Sequence, residues 1–182
     1  MREGCRQQKL WIDAGIAPEH MAVNLSARQM VDDHLVAKVR TILKETGLPP
    51  HYLELEVTES ALMEDPFAVA AKLQAFRALG IAIALDDFGT GYSSLSYLKH
   101  FPLDCMKIDQ SFVRGIPGDR NDVAITRTIV ALARNLGLKT VVEGIETEEQ
   151  LAFAKAEGCD EFQGYLFSKP LPADQVEALL RK

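Results

Sequence analysis

Cysteine is scarce in this sequence: 182 residues hold three, Cys5, Cys105 and Cys159. They are odd in number, far apart and without a C-x-x-C pair, which excludes a disulfide framework and a zinc site and leaves reduced, individually packed thiols. Long apolar runs are also missing. No stretch approaches the roughly 18 apolar residues of a membrane span, and Met1-Arg2-Glu3-Gly4-Cys5-Arg6 has no apolar segment behind its charges. The chain therefore reads as cytoplasmic, or as the cytoplasmic part of a longer protein. Positive charge is in deficit, with 20 Lys and Arg against 26 Asp and Glu. That balance excludes sequence-independent attachment to nucleic acid or an anionic membrane, so a phosphate ligand must be attracted by something local. Low-complexity segments, charge runs and Pro/Gly/Ser-rich linkers are absent too, so residues 1–182 read as one domain with no second.

What is present is a recurring unit of strand, loop and helix. Short apolar runs predict strands at Met21 to Leu25, Leu53 to Val57, Ile81 to Leu85, Cys105 to Ile108, Thr140 to Val142 and, more weakly, Asp160 to Phe162. Gly47, Gly80, Gly137 and Gly158 each follow a helical pattern and precede a strand, where a left-handed cap is wanted. Helix starts are equally legible. Ser26-x-x-Gln29 and Thr147-x-x-Gln150 are capping boxes, and Asp65-Pro66 offers an N-cap followed by proline at the first helical position. Such alternation implies a parallel α/β sheet covered by helices, doubly wound or closed as a barrel. At about 30 residues per unit, an eight-unit barrel would need about 240, so this length supplies six units of eight.

Polar residues mark the strand ends. Asn24 closes the first strand, Glu56 and Glu59 the second, Asp86 and Asp87 the third, Lys107 and Asp109 the fourth, Glu143 and Glu146 the fifth, and Gln163 the sixth. In parallel α/β folds these ends share the face on which active sites are built. A single strand-end carboxylate is an ordinary helix cap, but six successive polar ends are not, and adjacent Asp86 and Asp87 resist joint ionisation without a cation. The set Asn24, Glu56, Asp86, Asp87 and Glu143 is all oxygen, which favours Mg²⁺ or Mn²⁺. His20, His34, His51 and His100 lie away from these ends and read as surface or capping residues. Asp87-Phe88-Gly89-Thr90-Gly91-Tyr92-Ser93-Ser94 is neither a kinase segment nor a phosphate-cradling loop, since the companion motifs of both are missing. Its glycines suit a loop at the mouth of the site.

With these residues in place the chain resembles the EAL-type phosphodiesterase domains that cleave the bacterial messenger cyclic di-GMP. Asn24-Leu25-Ser26, Glu56-Val57-Thr58-Glu59, Asp86-Asp87-Phe88-Gly89-Thr90-Gly91, Lys107-Ile108-Asp109, Glu143-Gly144-Ile145-Glu146 and Gln163-Gly164-Tyr165 match that family's motifs in order. The resemblance implies a TIM-like (β/α)8 barrel, incomplete here, in which two Mg²⁺ or Mn²⁺ ions activate a water that opens cyclic di-GMP to linear pGpG. It further implies Asn24, Glu56 and Asp86 as ligands of the first ion, Asp86 bridging, and Asp87 and Glu143 as ligands of the second. Lys107 would hold the attacking water, with Glu143 and Glu59 also catalytic. Glu59 would pin the loop of Phe88, Gly89, Thr90 and Gly91, while Asp109, Gln163, Gly164 and Tyr165 would bind substrate. Expected partners are a second copy of the chain, or sensory or GGDEF-type domains of a longer protein.

One departure stands out. The Glu-Ala-Leu segment that names the family belongs on a strand ahead of Asn24, and this sequence has none there, so the first ion lacks one carboxylate. Reduced or absent turnover follows as an expectation. The alternative reading is an inactive cyclic di-GMP-binding or protein-interaction module. An enolase-like proton abstractor would also use strand-end carboxylates and a lysine, but fits the Asp doublet and Asn24 poorly. The unclosed barrel also predicts exposed edges and a chain that associates or needs a partner.

Overall fold

The structure, a computed structural model, describes residues 1–90 and 95–181. Six strands form one parallel sheet: β1 (Met21–Leu25), β2 (Leu53–Thr58), β3 (Ala82–Phe88), β4 (Cys105–Ile108), β5 (Lys139–Val142) and β6 (Glu161–Phe162). Their order in space is their order in sequence. Each neighbour pair is therefore joined by a crossover, the connectivity of a (β/α) barrel, here an open half-barrel with β1 and β6 at its edges.

The helices are α1 (Arg2–Asp13), α2 (Ala27–Met30), α3 (Leu35–Thr46), α4 (Glu59–Met63), α5 (Pro66–Ala78), α6 (Leu95–Leu98), α7 (Arg120–Leu136), α8 (Glu148–Ala156) and α9 (Ala173–Leu180). Their ends follow from local chemistry. Ser26 and Thr147 form reciprocal capping boxes with Gln29 and Gln150, and the Asp65 side chain accepts from the Ala68 amide ahead of Pro66. Gly47 and Gly137 close α3 and α7 in the left-handed conformation.

β2 shows how the sheet divides its faces. Leu53, Leu55 and Val57 are fully buried in the core beneath the helices with Ile83, Leu85, Met106 and Ile108, each such side chain contributing about 1.5–3 kcal/mol. Glu54 and Glu56 alternate with them and face the concave side, where Ala84, Cys105 and Val141 form a small separate apolar cluster. β2 alternates cleanly, unlike strands covered by apolar layers on both faces, because the inner face here is polar. β3 departs as well, since it runs on to Phe88, so Asp86, Asp87 and the buried Phe88 belong to the strand rather than to the following loop. Burial in the core holds Phe88, which keeps register with Ile108.

All three cysteines are buried and free. Burial pushes the Cys105 thiol up to about 12 and that of Cys159 to about 11, so both are inert. His20 departs from its surface reading. It is half-buried just before β1, and its Nε2 lies 3.6 Å from Oε1 of Glu54.

Candidate active site

Register brings the polar strand ends together. Asn24 pairs with Glu56 across β1 and β2, Glu56 with Ala84 across β2 and β3, and Ala84 with Cys105 across β3 and β4, so all four lie on the concave face. Two residues further on, the same face carries Asp86 and Lys107. Glu56, Asp86 and Lys107 are buried, with relative exposures of 7%, 8% and 5%.

Adjacent residues of a regular strand point to opposite faces, which would separate Asp86 from Asp87. The register of β3 against β4 shifts between Leu85 and Phe88, and Asp87 adopts φ 55°. This bulge brings both carboxylates to one side, at a backbone cost that Asp, among non-glycine residues, tolerates well. One oxygen from each of Asp86, Asp87 and Glu143 lies within 4.8 Å of the others.

Lys107 sits among the remaining oxygens. Its Nζ donates to Oε1 of Glu56, lies 2.7 Å from Oε1 of Glu143 and 3.3 Å from Oδ1 of Asp86. Burial opposes its charge, but the hydrogen bonds and negative charges of Glu143 and Glu56 outweigh that and hold the ammonium above the ordinary lysine range. Burial raises Glu143, with Lys107 opposing. Burial, then the charges of Asp86 and Asp109, raise Asp87. Three carboxylates around one ammonium leave a net negative centre of hard oxygen donors, which fits a divalent cation such as Mg²⁺, Mn²⁺ or Ca²⁺.

Asn24 is exposed on the edge strand. Glu59, at the start of α4, is buried, and its Oε2 accepts from the Gly89 amide at 3.1 Å. Thr90 donates from Oγ1 to the Asp87 carbonyl at 2.8 Å, whereas Gly91 lies outside the described residues. Asp109 caps the short turn Gln110–Phe112, its Oδ1 accepting from the Ser111 amide at 2.9 Å.

Gln163, Gly164 and Tyr165 line a cavity of about 440 Å³ beside Glu143. Gly144 has φ 71°, and a Cβ there would meet Cβ of Gln110 at 2.5 Å; one at Gly164 would meet the Ile145 carbonyl oxygen at 2.1 Å. Glycine at 144 lets the loop after β5 pass the turn after β4, and glycine at 164 lets the loops after β5 and β6 zip together through the Ile145 amide and the Gln163 carbonyl, 3.0 Å apart. Gln110, Arg114 and Glu146 also line this cavity. Sequence reasoning left out Gln110 and Arg114. The available signal was their position in the turn immediately after the β4 strand end.

An open parallel half-barrel with a carboxylate–lysine centre at the C-terminal ends of its strands defines a barrel-type α/β protein whose mouth carries a carboxylate cluster of the kind that can hold a metal ion. More narrowly, the chain belongs to the EAL domain family, whose profile matches residues 1–170. It is similar to the bifunctional diguanylate cyclase/cyclic di-GMP phosphodiesterase MucR of Pseudomonas aeruginosa, at 48% identity over 176 residues that cover 97% of this chain and 26% of that protein. It thus spans about a quarter of that relative's length. The solved PaMucR phosphodiesterase in complex with c-di-GMP superposes with a TM-score of 0.92 at 48% identity, covering 96% of this chain and 71% of that one. The manganese/cyclic di-GMP complex of BlrP1 from Klebsiella pneumoniae superposes with a TM-score of 0.80 at 32% identity, covering 91% of this chain and 42% of that one.

Proposed function

We propose that the chain is a phosphodiesterase module that opens cyclic di-GMP to linear pGpG with divalent cations bound at the mouth of its half-barrel. The convergence of Asp86, Asp87 and Glu143 beside the buried Lys107 carries this reading. Similarity to relatives named for this activity and crystallised with this ligand supports it.

Asn24, Glu56 and Asp86 would hold one Mg²⁺ or Mn²⁺ and Asp87 and Glu143 a second, with Asp86 shared. When bound, the ions offset the negative mouth for an anionic phosphodiester, polarise it and lower the pKa of water. Lys107, fixed by its carboxylate partners, donates to a water oxygen and orients it. Glu143, whose Oε1 lies 2.7 Å from the Lys107 ammonium, would accept the proton of the water through an oxygen not engaged by an ion. The water oxygen bonds to phosphorus, the P–O3′ bond breaks and the leaving oxygen takes up a proton. Glu59 holds the turn that follows β3 through the Gly89 amide, and Asp109, Gln163, Gly164 and Tyr165 contact the substrate.

The reading makes residues 1–182 one unit of such a domain, acting in the cytoplasm as a homodimer or beside sensory or GGDEF-type domains. Among the described residues no helix is long and apolar enough to cross a membrane.

Incubation of the 182-residue chain with cyclic di-GMP and Mg²⁺ or Mn²⁺, followed by chromatography, tests the activity. The expected outcome is pGpG in the metal arms, none with chelator and none from Asp86→Ala. Binding with the dinucleotide recovered intact in every arm would instead establish the second reading, a cyclic di-GMP-binding or protein-interaction module without turnover. The exposure of Asn24 on the edge strand favours that second outcome.

A further inference from the structure

The turn that carries Asp87 is held in a conformation that its own sequence does not favour. Asp87 has φ 55° and Gly89 φ 96°, and a left-handed backbone at a non-glycine residue persists only where the surroundings over-determine it. Three restraints do so. The Asp87 carbonyl accepts from the Thr90 amide at 3.3 Å and from its Oγ1 at 2.8 Å, and the Gly89 amide donates to Oε2 of Glu59. The third restraint is steric. A Cβ at Gly89 would meet Cε2 of Phe112 at 2.9 Å and Cζ at 3.2 Å, so the glycine lies directly against the far edge of that ring.

Phe112 belongs to the turn after β4, and that turn is fixed by helices behind it. The Phe112 carbonyl accepts from Oγ1 of Thr126, completely buried on α7, at 3.2 Å. The Val113 carbonyl accepts from Nε2 of Gln150, buried on α8, also at 3.2 Å. The ring itself is half-buried, packed against the core, and does not line the cavity beside Glu143. Its side chain has no polar atom, so it cannot hold an ion or a phosphate. What it can do is limit where the backbone from Asp87 to Gly89 lies. Removing a partner that orients a ligand typically lowers metal affinity by about 10–100-fold.

We propose that Phe112 is a positioning residue for Asp87: its ring is the shelf on which the Asp87–Gly89 turn rests, and through it α7 and α8 fix the carboxylate that would hold the second ion. The proposal rests on the function proposed above and adds to it an apolar residue outside the carboxylate–lysine centre.

The test compares two variants of the 182-residue chain. Phe112→Leu keeps an apolar side chain on the core but lacks Cε2 and Cζ, whereas Val113→Ala thins the same core one residue further on, at a side chain that is 1% exposed. Both should melt below the parent. Calorimetric titration with Mn²⁺ should show an affinity about ten-fold weaker in Phe112→Leu and unchanged in Val113→Ala. In an Asp87→Asn background Phe112→Leu should cost nothing further, because the ligand that it positions is already gone. With chelator present, hydrogen exchange at the Gly89 amide should be faster in Phe112→Leu alone. Parent-like Mn²⁺ affinity in Phe112→Leu, or an equal loss in both variants, would overturn the assignment and leave Phe112 as core packing. So would a loss that adds in full to that of Asp87→Asn, or Gly89 exchange that Phe112→Leu does not change. If the parent binds no Mn²⁺, the proposed function itself fails and takes the positioning role with it.

Discussion

At Lys107 an ammonium group is buried among Glu56, Asp86 and Glu143, and removing it would strand three carboxylates. Breaking a buried pair in this way typically costs about 3–5 kcal/mol. Urea denaturation of Lys107→Met with chelator present should show a loss of that order, and Mg²⁺ should restore more stability to the variant than it adds to the parent. An unchanged midpoint would show that the ammonium does not neutralise the cluster. Asp87 and Glu143 supply a pH test. Their folded values are raised above the ordinary 3.8 and 4.5, so protonation favours the metal-free fold. That contribution is present below the ordinary values and lost as pH rises through the raised ones. Cation binding runs the other way, since protons compete for the same oxygens. The rise in melting temperature on adding Mg²⁺ should therefore shrink as pH falls through this window. Which residues sit here was legible in the sequence. How Asp86 and Asp87 converge was not, because strict alternation would send them to opposite faces, and the remedy is a left-handed φ at a non-glycine residue.

The loop after β5 packs closely against the turn after β4 because Gly144 carries no side chain, and against the loop after β6 because Gly164 carries none. Gly164→Ala would drive a Cβ into the Ile145 carbonyl and should cost about 1–3 kcal/mol, measured by chemical denaturation, with weakened cyclic di-GMP binding. On the opposite side of the mouth, Glu59→Ala should speed hydrogen exchange at the Gly89 amide, whose acceptor it removes, while leaving exchange in β2 unchanged. Five strand positions were readable to within a residue or so, because apolar runs bounded by Gly and by capping residues leave little freedom. β3 overran its expected end because its last three residues, Asp-Asp-Phe, carry charge that hydropathy reads as loop, while the register of Phe88 with Ile108 keeps them in the sheet. Arg114 escaped notice because its position soon after the β4 strand end does not by itself distinguish a mouth-facing arginine from a solvated one. Only the packing of the two loops creates the cavity that it lines.

Across the whole molecule, helix, strand and strand-end chemistry agree on one concave polar face over one continuous core. Parallel connectivity puts Asn24 on β1, Asp86 on β3 and Glu143 after β5 at the same end of the sheet, although they are far apart in sequence. That shared end is why the site was legible from strand order alone, whereas the pairing of Lys107 with its carboxylates depended on side-chain geometry. Within the described residues β1 and β6 each have one unpaired side, and such edges promote association. Sedimentation of the 182-residue chain expressed by itself should show concentration-dependent self-association, and a monodisperse, sharply melting monomer would contradict that. In the proposed function the acidic mouth becomes a cyclic di-GMP site through divalent cations. Calorimetric titration with cyclic di-GMP, in Ca²⁺ and then in chelator, tests it most directly. Saturable binding with Ca²⁺ that chelator and Asp86→Ala each abolish is the expected result; binding indifferent to both, or no binding in Ca²⁺, would contradict it.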